Sequence, residues 1–138
     1  MEEEASRVTC LDTAALIDAM RNEPRARAAV EAAADGGIVT TEVNVYELYA
    51  GAHREGRPVE PEIRAIERAI GEVEVLPFIR GASVRAAALT SLLRSRGRAV
   101  GTLDLLIAAI ALTHGVTRVL TRDERDFSRI PGIRVETY

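Results

Sequence analysis

Apolar residues along this chain fall into short unbroken runs, separated by longer stretches in which they recur every three or four positions. The first kind of pattern reads as buried strand and the second as helix. Val8-Thr9-Cys10-Leu11 is a brief β-prone run ending at Asp12, and Thr13 is placed to cap a helix from Ala14 to about Arg21. Arg25 to Ala34 reads as a second, alanine-rich helix, broken by Asp35-Gly36-Gly37. Ile38-Val39-Thr40 is a second strand. Thr41 then opens a helix from Glu42 to about Ala52, and Gly56-Arg57-Pro58 ends that unit. Pro61 to Ile70 predicts another amphipathic helix, and Val73 to Phe78 a third strand interrupted by Pro77. Ser83 to about Ser95 predicts a long helix. Thr102 is placed to cap the very apolar helix Leu103 to His114, with Gly115 as its stop. Val116 to Leu120 and Ile133 to Thr137 complete the strands.

Strands separated by helices, and apolar runs in place of alternation, predict a parallel sheet covered on both faces. The expected fold class is therefore α/β: a single three-layer α/β/α sandwich around a central, mainly parallel sheet of about five strands. No internal repeat, low-complexity stretch or linker interrupts the pattern. Residues 1–138 read as one domain, with the acidic start, residues 1–7, expected as a disordered extension. At 138 residues, folding buries roughly two-thirds of the chain's surface, enough for a core without disulfides.

Composition narrows the chemistry. Cys10 is the only cysteine, which fits a reducing compartment. No apolar run approaches the roughly 20 residues that span a bilayer. The start, MEEEASR, lacks the basic flank of a signal peptide, so a soluble, cytoplasmic protein with no membrane partner is expected. The chain has 18 arginines and no lysine, glutamine or tryptophan. Schiff-base chemistry and a P-loop nucleotide site are thereby excluded. Two histidines and one cysteine cannot build a Cys/His zinc site. A net charge of −3 argues against passive binding of phosphate backbones over the whole surface, though not against a local arginine path.

The acids carry more information. There are only six aspartates: Asp12, Asp18, Asp35, Asp104, Asp123 and Asp126. Ligands of open parallel sheets sit outside the carboxyl ends of the strands. Asp12 closes the first strand, and Asp123 lies just past the run Val119-Leu120; both belong at that rim. Asp104 falls in the first turn of its helix, and Glu47 lies mid-helix after the second strand. Steps of 35, 57 and 19 residues separate the four, so only folding brings them together. Each also has a bland reading: Asp104 complements a helix dipole, Asp12 caps the next helix, and Asp123 starts an Asx turn. Glu47, flanked by Tyr46 and Leu48 in an apolar stretch, is harder to explain that way. Two carboxylates about 5 Å apart repel by about 3 kcal/mol at an effective dielectric of about 20. Four at one rim would take up protons or recruit a cation, and all-oxygen ligands select Mg²⁺ or Mn²⁺.

Four stretches carry a family resemblance: Leu11-Asp12-Thr13-Ala14-Ala15-Leu16, Glu47-Leu48-Tyr49-Ala50-Gly51-Ala52, Asp104-Leu105-Leu106-Ile107-Ala108-Ala109 and Leu120-Thr121-Arg122-Asp123-Glu124-Arg125-Asp126-Phe127. In this order they resemble the PIN-domain ribonucleases, in particular the VapC-type toxins of toxin–antitoxin pairs. The resemblance implies that Asp12, Glu47, Asp104 and Asp123 form an acidic metal site for Mg²⁺, with Mn²⁺ as substitute. It implies hydrolysis of RNA phosphodiesters, leaving a 5′-phosphate and a 3′-hydroxyl. Thr13 and Thr121 match small hydroxyl positions beside the acids, and Asp126 is a nearby supporting acid. Arg94, Arg96 and Arg98, ending the long helix, and Arg122 beside Asp123 are candidates for gripping the RNA backbone. Solvated helix-end arginines are the equally weighted alternative.

The resemblance also implies a homodimer and a cognate antitoxin protein whose tail packs on helices near the site. Ala14–Met20 and Val43–Ala52 are the segments placed to offer that groove, although plain core packing is the default for their apolar faces. Haloacid-dehalogenase phosphatases and response-regulator receivers share the fold class but rely on a lysine, absent here. The competing reading from another class is a PIN-like module that binds RNA or protein without catalysis.

Overall fold

Five short strands, β1 (Thr9–Leu11), β2 (Ile38–Thr41), β3 (Glu74–Leu76), β4 (Arg118–Leu120) and β5 (Arg134–Glu136), form one sheet in the order β3-β2-β1-β4-β5. Every pairing is parallel, with Cys10 opposite Val39 on one side and Val119 on the other. Between them run α1 (Thr13–Met20), α2 (Pro24–Ala34), α3 (Glu42–Ala52), α4 (Val59–Ile70), α5 (Arg80–Ser95) and α6 (Thr102–Thr113), with a 3₁₀ turn at Phe127–Arg129. This computed structural model describes residues 7–54 and 56–138; residues 1–6, where most of the expected extension falls, lie outside the described residues.

The period-two alternation of strands decides which helices cover which face. Cys10, Val39 and Val119 point to one side, into a core completed by Ala86, Leu89 and Leu93 of α5 and by Leu105 and Ile107–Ala111 of α6. Their neighbours Leu11 and Leu120 point the other way, against Ala15 and Leu16 of α1, Leu48 and Ala52 of α3 and Ile66 of α4. The result is the three-layer α/β/α arrangement that the apolar runs predict. Each fully buried large side chain, such as Phe127 or Ile110, contributes about 1.5–3 kcal/mol through removal from water.

The element ends differ from the sequence expectation for identifiable reasons. The third strand stops at Leu76 because Pro77 has no N–H to give the sheet. Thr41 both ends β2 and caps α3, in a capping box with Asn44. The two expected threonine caps are corrected. Asp12 occupies the N-cap position of α1 and Thr13 is already helical; Gly101 occupies that position for α6, and Thr102 is its first residue. Helix α4 starts at Val59 and α5 at Arg80, earlier than the patterns suggest.

From β1 the chain builds outward through β2 and β3, then returns to place β4 on the other side of β1. The connections therefore reverse between β1 and β4. A crevice opens at such a switch point, outside the carboxyl ends of the two strands. Asp12 follows β1 and Thr121 follows β4, and the Asp12 N–H donates to the Leu120 carbonyl at 3.0 Å. Topology alone places both residues at the mouth of that crevice.

Candidate active site

Asp12 is the hub of the hydrogen bonds at this switch point. Its side chain is buried, and its two oxygens have different donors: the Thr121 hydroxyl at 2.8 Å and the Asn44 amide at 3.3 Å. Burial pushes its pKa up, while these donors and the Thr13 N–H act against the rise and the charge of Asp123 adds to it. Thr13, freed from capping, donates its hydroxyl to Glu47 at 2.7 Å and accepts the Asn44 amide at 3.0 Å. Glu47 comes from the middle of α3, and its pKa is raised chiefly by burial, with Asp12 adding to the effect.

Asp104 enters from the first turn of α6, a position that a helix dipole favours. Its pKa is nevertheless pushed up to about 7 by burial and by the charges of Asp12, Asp126 and Glu47, with the Asp126 carboxyl in hydrogen-bonding reach. That shift registers four acids from four separate parts of the chain crowding one another. Asp126 accepts from the Gly101 N–H at 3.1 Å and so takes over the start of α6, where Gly101 has no side chain. Asp123 is exposed at the mouth. Its carboxylate accepts from the Arg125 N–H at 3.3 Å, the Asx turn that its sequence position allows, and its own N–H donates to Thr121 at 3.1 Å.

Among the described residues, no three acids, histidines or cysteines already converge closely enough to enclose an ion. The acids are neighbours around a crevice, with carboxylate oxygens as the available ligands. No arginine pairs with Asp12, Glu47 or Asp104 among the described residues. Uncompensated, crowded carboxylates offering only oxygen fit a hard divalent cation.

The sequence matches the PIN domain family over residues 9–133. It is 28% identical to the tRNA(fMet)-specific endonuclease VapC of Shigella flexneri, over 93% of this chain and 96% of that protein. It is 33% identical to the protein of the same name from Salmonella typhimurium, over 70% of this chain and 71% of that one. The chain belongs to the PIN-domain family, in its VapC branch. Among solved structures, DNA-bound VapBC from Salmonella typhimurium superposes with a TM-score of 0.79 at 30% identity, covering 94% of this chain and 96% of that one.

Elsewhere in this PIN domain the arginine candidates separate. Arg94, Arg96 and Arg98 are exposed at the end of α5, where Gly97 with φ of 66° makes the turn. Arg122 does not reach toward the acids. Its guanidinium turns to α1 and donates to both oxygens of Asp18, at 3.0 and 3.1 Å. Sequence reasoning missed Asn44, fully buried and bonded to Asp12, Thr13 and Thr41. The available signal was a polar residue three positions after a capping threonine, at the start of an otherwise apolar helix.

Proposed function

We propose that this protein is a divalent-cation-dependent endoribonuclease that hydrolyses RNA phosphodiesters as the toxin of a type II toxin–antitoxin pair. The observation that carries the reading is the crowding of Asp12, Glu47, Asp104 and Asp126 at the β1/β4 switch point, which pushes Asp104 up to about 7. Asp123 at the mouth completes the proposed ligand set of Asp12, Glu47, Asp104 and Asp123, with Mg²⁺ as the cation and Mn²⁺ as its substitute.

A cation held there supplies a polarised phosphodiester and a more acidic water. The chain's own residues supply orientation. Thr121 and Asn44 hold the two oxygens of Asp12 apart on separate donors, so the carboxylate cannot rotate freely. Thr13 does the same for one oxygen of Glu47. Asp104, crowded by Asp12, Glu47 and Asp126, is the acid whose raised pKa of about 7 in the metal-free protein a bound cation would bring down most. Exposed Arg94, Arg96 and Arg98 are the proposed grip on the RNA backbone.

The VapC relatives and VapBC complexes support an antitoxin partner, and a homodimer in the cytoplasm belongs to the same reading. Among the described residues no helix is long and apolar enough to cross a membrane. Two relatives named as tRNA(fMet)-specific endonucleases make that tRNA the first substrate to try.

The test is cleavage of labelled RNA by purified protein with Mg²⁺ or Mn²⁺, with EDTA, and as Asp104→Asn. Discrete cuts that need the cation and vanish in the variant establish the reading. Cutting that survives EDTA or the substitution contradicts it. An absence of both cutting and Mn²⁺ binding would favour the alternative, a non-catalytic PIN-like module that binds RNA or protein.

A further inference from the structure

Asp18 is a buried carboxylate on the second turn of α1, in a helix whose other buried residues are Ala15 and Leu16. Three strong hydrogen bonds reach it from distant parts of the chain. Arg122 Nη1 donates to both of its oxygens, at 3.1 and 3.0 Å, across 104 residues. Tyr138 Oη donates to Oδ2 at 2.6 Å, across 120 residues. The charge is thus satisfied, yet the ion pair adds little to stability. The Arg122 side chain is 63% exposed, and a pair with so exposed a partner is largely screened by solvent. Burying a carboxylate where an apolar side chain would pack is not a stabilising choice either. What the arrangement does fix is geometry.

Arg122 sits between Thr121, which orients Asp12, and Asp123 at the mouth of the crevice. Helix α1 is therefore joined to the segment after β4 at two points: Asp12 with Thr121, and Asp18 with Arg122. Those points are six residues apart on α1, about 9 Å along its axis at 1.5 Å per residue. The first point, together with the Asp12 N–H bond to the Leu120 carbonyl, anchors the start of the segment; the second, that far along α1, fixes the direction in which the segment leaves.

We propose that Asp18, Arg122 and Tyr138 form a positioning clamp that holds the segment carrying Thr121 and Asp123 against α1, so that Asp12 and Asp123 keep their relative placement. Arg122 on this account serves the acids through Asp18 and is not an RNA contact. The consequence for metal binding rests on the proposed nuclease reading; the clamp itself does not.

The experiment uses the full chain as wild type, Asp18→Asn, Arg122→Ala, the double variant, Arg122→Lys and Tyr138→Phe. Asp18→Asn keeps the shape of the side chain, and thermal unfolding confirms that each variant folds. Amide hydrogen exchange at Asp123 and Arg125 reads the segment directly. It is expected to quicken several-fold in both single variants, with the double variant no faster than either, and less in Tyr138→Phe. Mn²⁺ affinity and RNA turnover are expected to fall about 3- to 10-fold together with little change in KM, below the 10–100-fold typical for groups that touch a metal ligand directly. Arg122→Lys is expected to restore part of the loss. Unchanged exchange in Asp18→Asn overturns the clamp, as do additive effects in the double variant. A raised KM in Arg122→Ala beside a silent Asp18→Asn overturns it in favour of an RNA contact. Should wild type bind no Mn²⁺, the nuclease reading fails while the exchange data still decide the clamp.

Discussion

Replacing Asp104 by asparagine is expected to make the metal-free protein more stable, by an amount that grows with pH. In the folded state the Asp104 pKa is pushed from 3.8 to about 7 by burial and by Asp12, Asp126 and Glu47. Between those values the folded protein keeps a proton that the unfolded chain releases. Stability therefore falls as pH rises through that window and levels off above it. At 1.36 kcal/mol for each pH unit the full rise sets a ceiling of about 4 kcal/mol. Asp104 is only half-buried, and solvent screening reduces this to about 1–2 kcal/mol. Asparagine keeps the shape, carries no charge and escapes the penalty. Unfolding entropy of about 2.1 cal/mol/K per residue over 138 residues converts the gain into a Tm rise of about 3–7 °C at pH 8. At pH 5 the gain shrinks to about a third, because most of the penalty accrues above that pH. The assay is thermal unfolding in EDTA at pH 5 and pH 8, followed by Mn²⁺ titration at pH 8. Mn²⁺ is expected to stabilise wild type more than the variant. A variant that is less stable than wild type at pH 8 in EDTA would refute the crowding argument, because the carboxylate would then be a favourable group.

Two more outcomes follow from the hydrogen bonds around Asp12, and a third from the arginines ending α5. Thr121→Val removes the donor at 2.8 Å from a buried carboxylate and is expected to cost about 1–3 kcal/mol, with weaker Mn²⁺ binding by calorimetry; Thr121→Ser is expected to restore both. Asn44→Ala breaks the capping box and the Asp12 bond together, an expected loss of about 2–4 kcal/mol in denaturant unfolding. If the arginines ending α5 grip RNA, Arg94→Ala and Arg98→Ala each raise KM with kcat little changed, and each lowers the slope of log affinity against log salt by about one; an unchanged slope would mark them as solvated helix-end residues.

The sheet was readable from sequence because buried parallel strands leave apolar runs, and Cys10, Val39 and Val119 all lie in such runs. The acids were readable because a chain with six aspartates places few of them beyond strand ends. The threonine caps were not readable. A hydroxyl ahead of a helix has two kinds of partner, a local N–H or a distant carboxylate, and Thr13 takes Glu47, 34 residues away. Asn44 stayed hidden for the same reason: its role depends on Asp12, which only the β1–β2 pairing brings near. The direction of Arg122 was undetermined too, since an arginine beside an acid in sequence turned to Asp18 on another element.

The most direct test of the account asks whether one set of acids both binds a divalent cation and cuts RNA. Free Mn²⁺ is measured by electron paramagnetic resonance at pH 8 with wild type and Asp12→Asn, and RNA cleavage is followed on the same samples. The account predicts that wild type depletes the free Mn²⁺ signal and cleaves, and that Asp12→Asn, though folded, does neither. Mn²⁺ binding and cleavage that both persist in Asp12→Asn would contradict it.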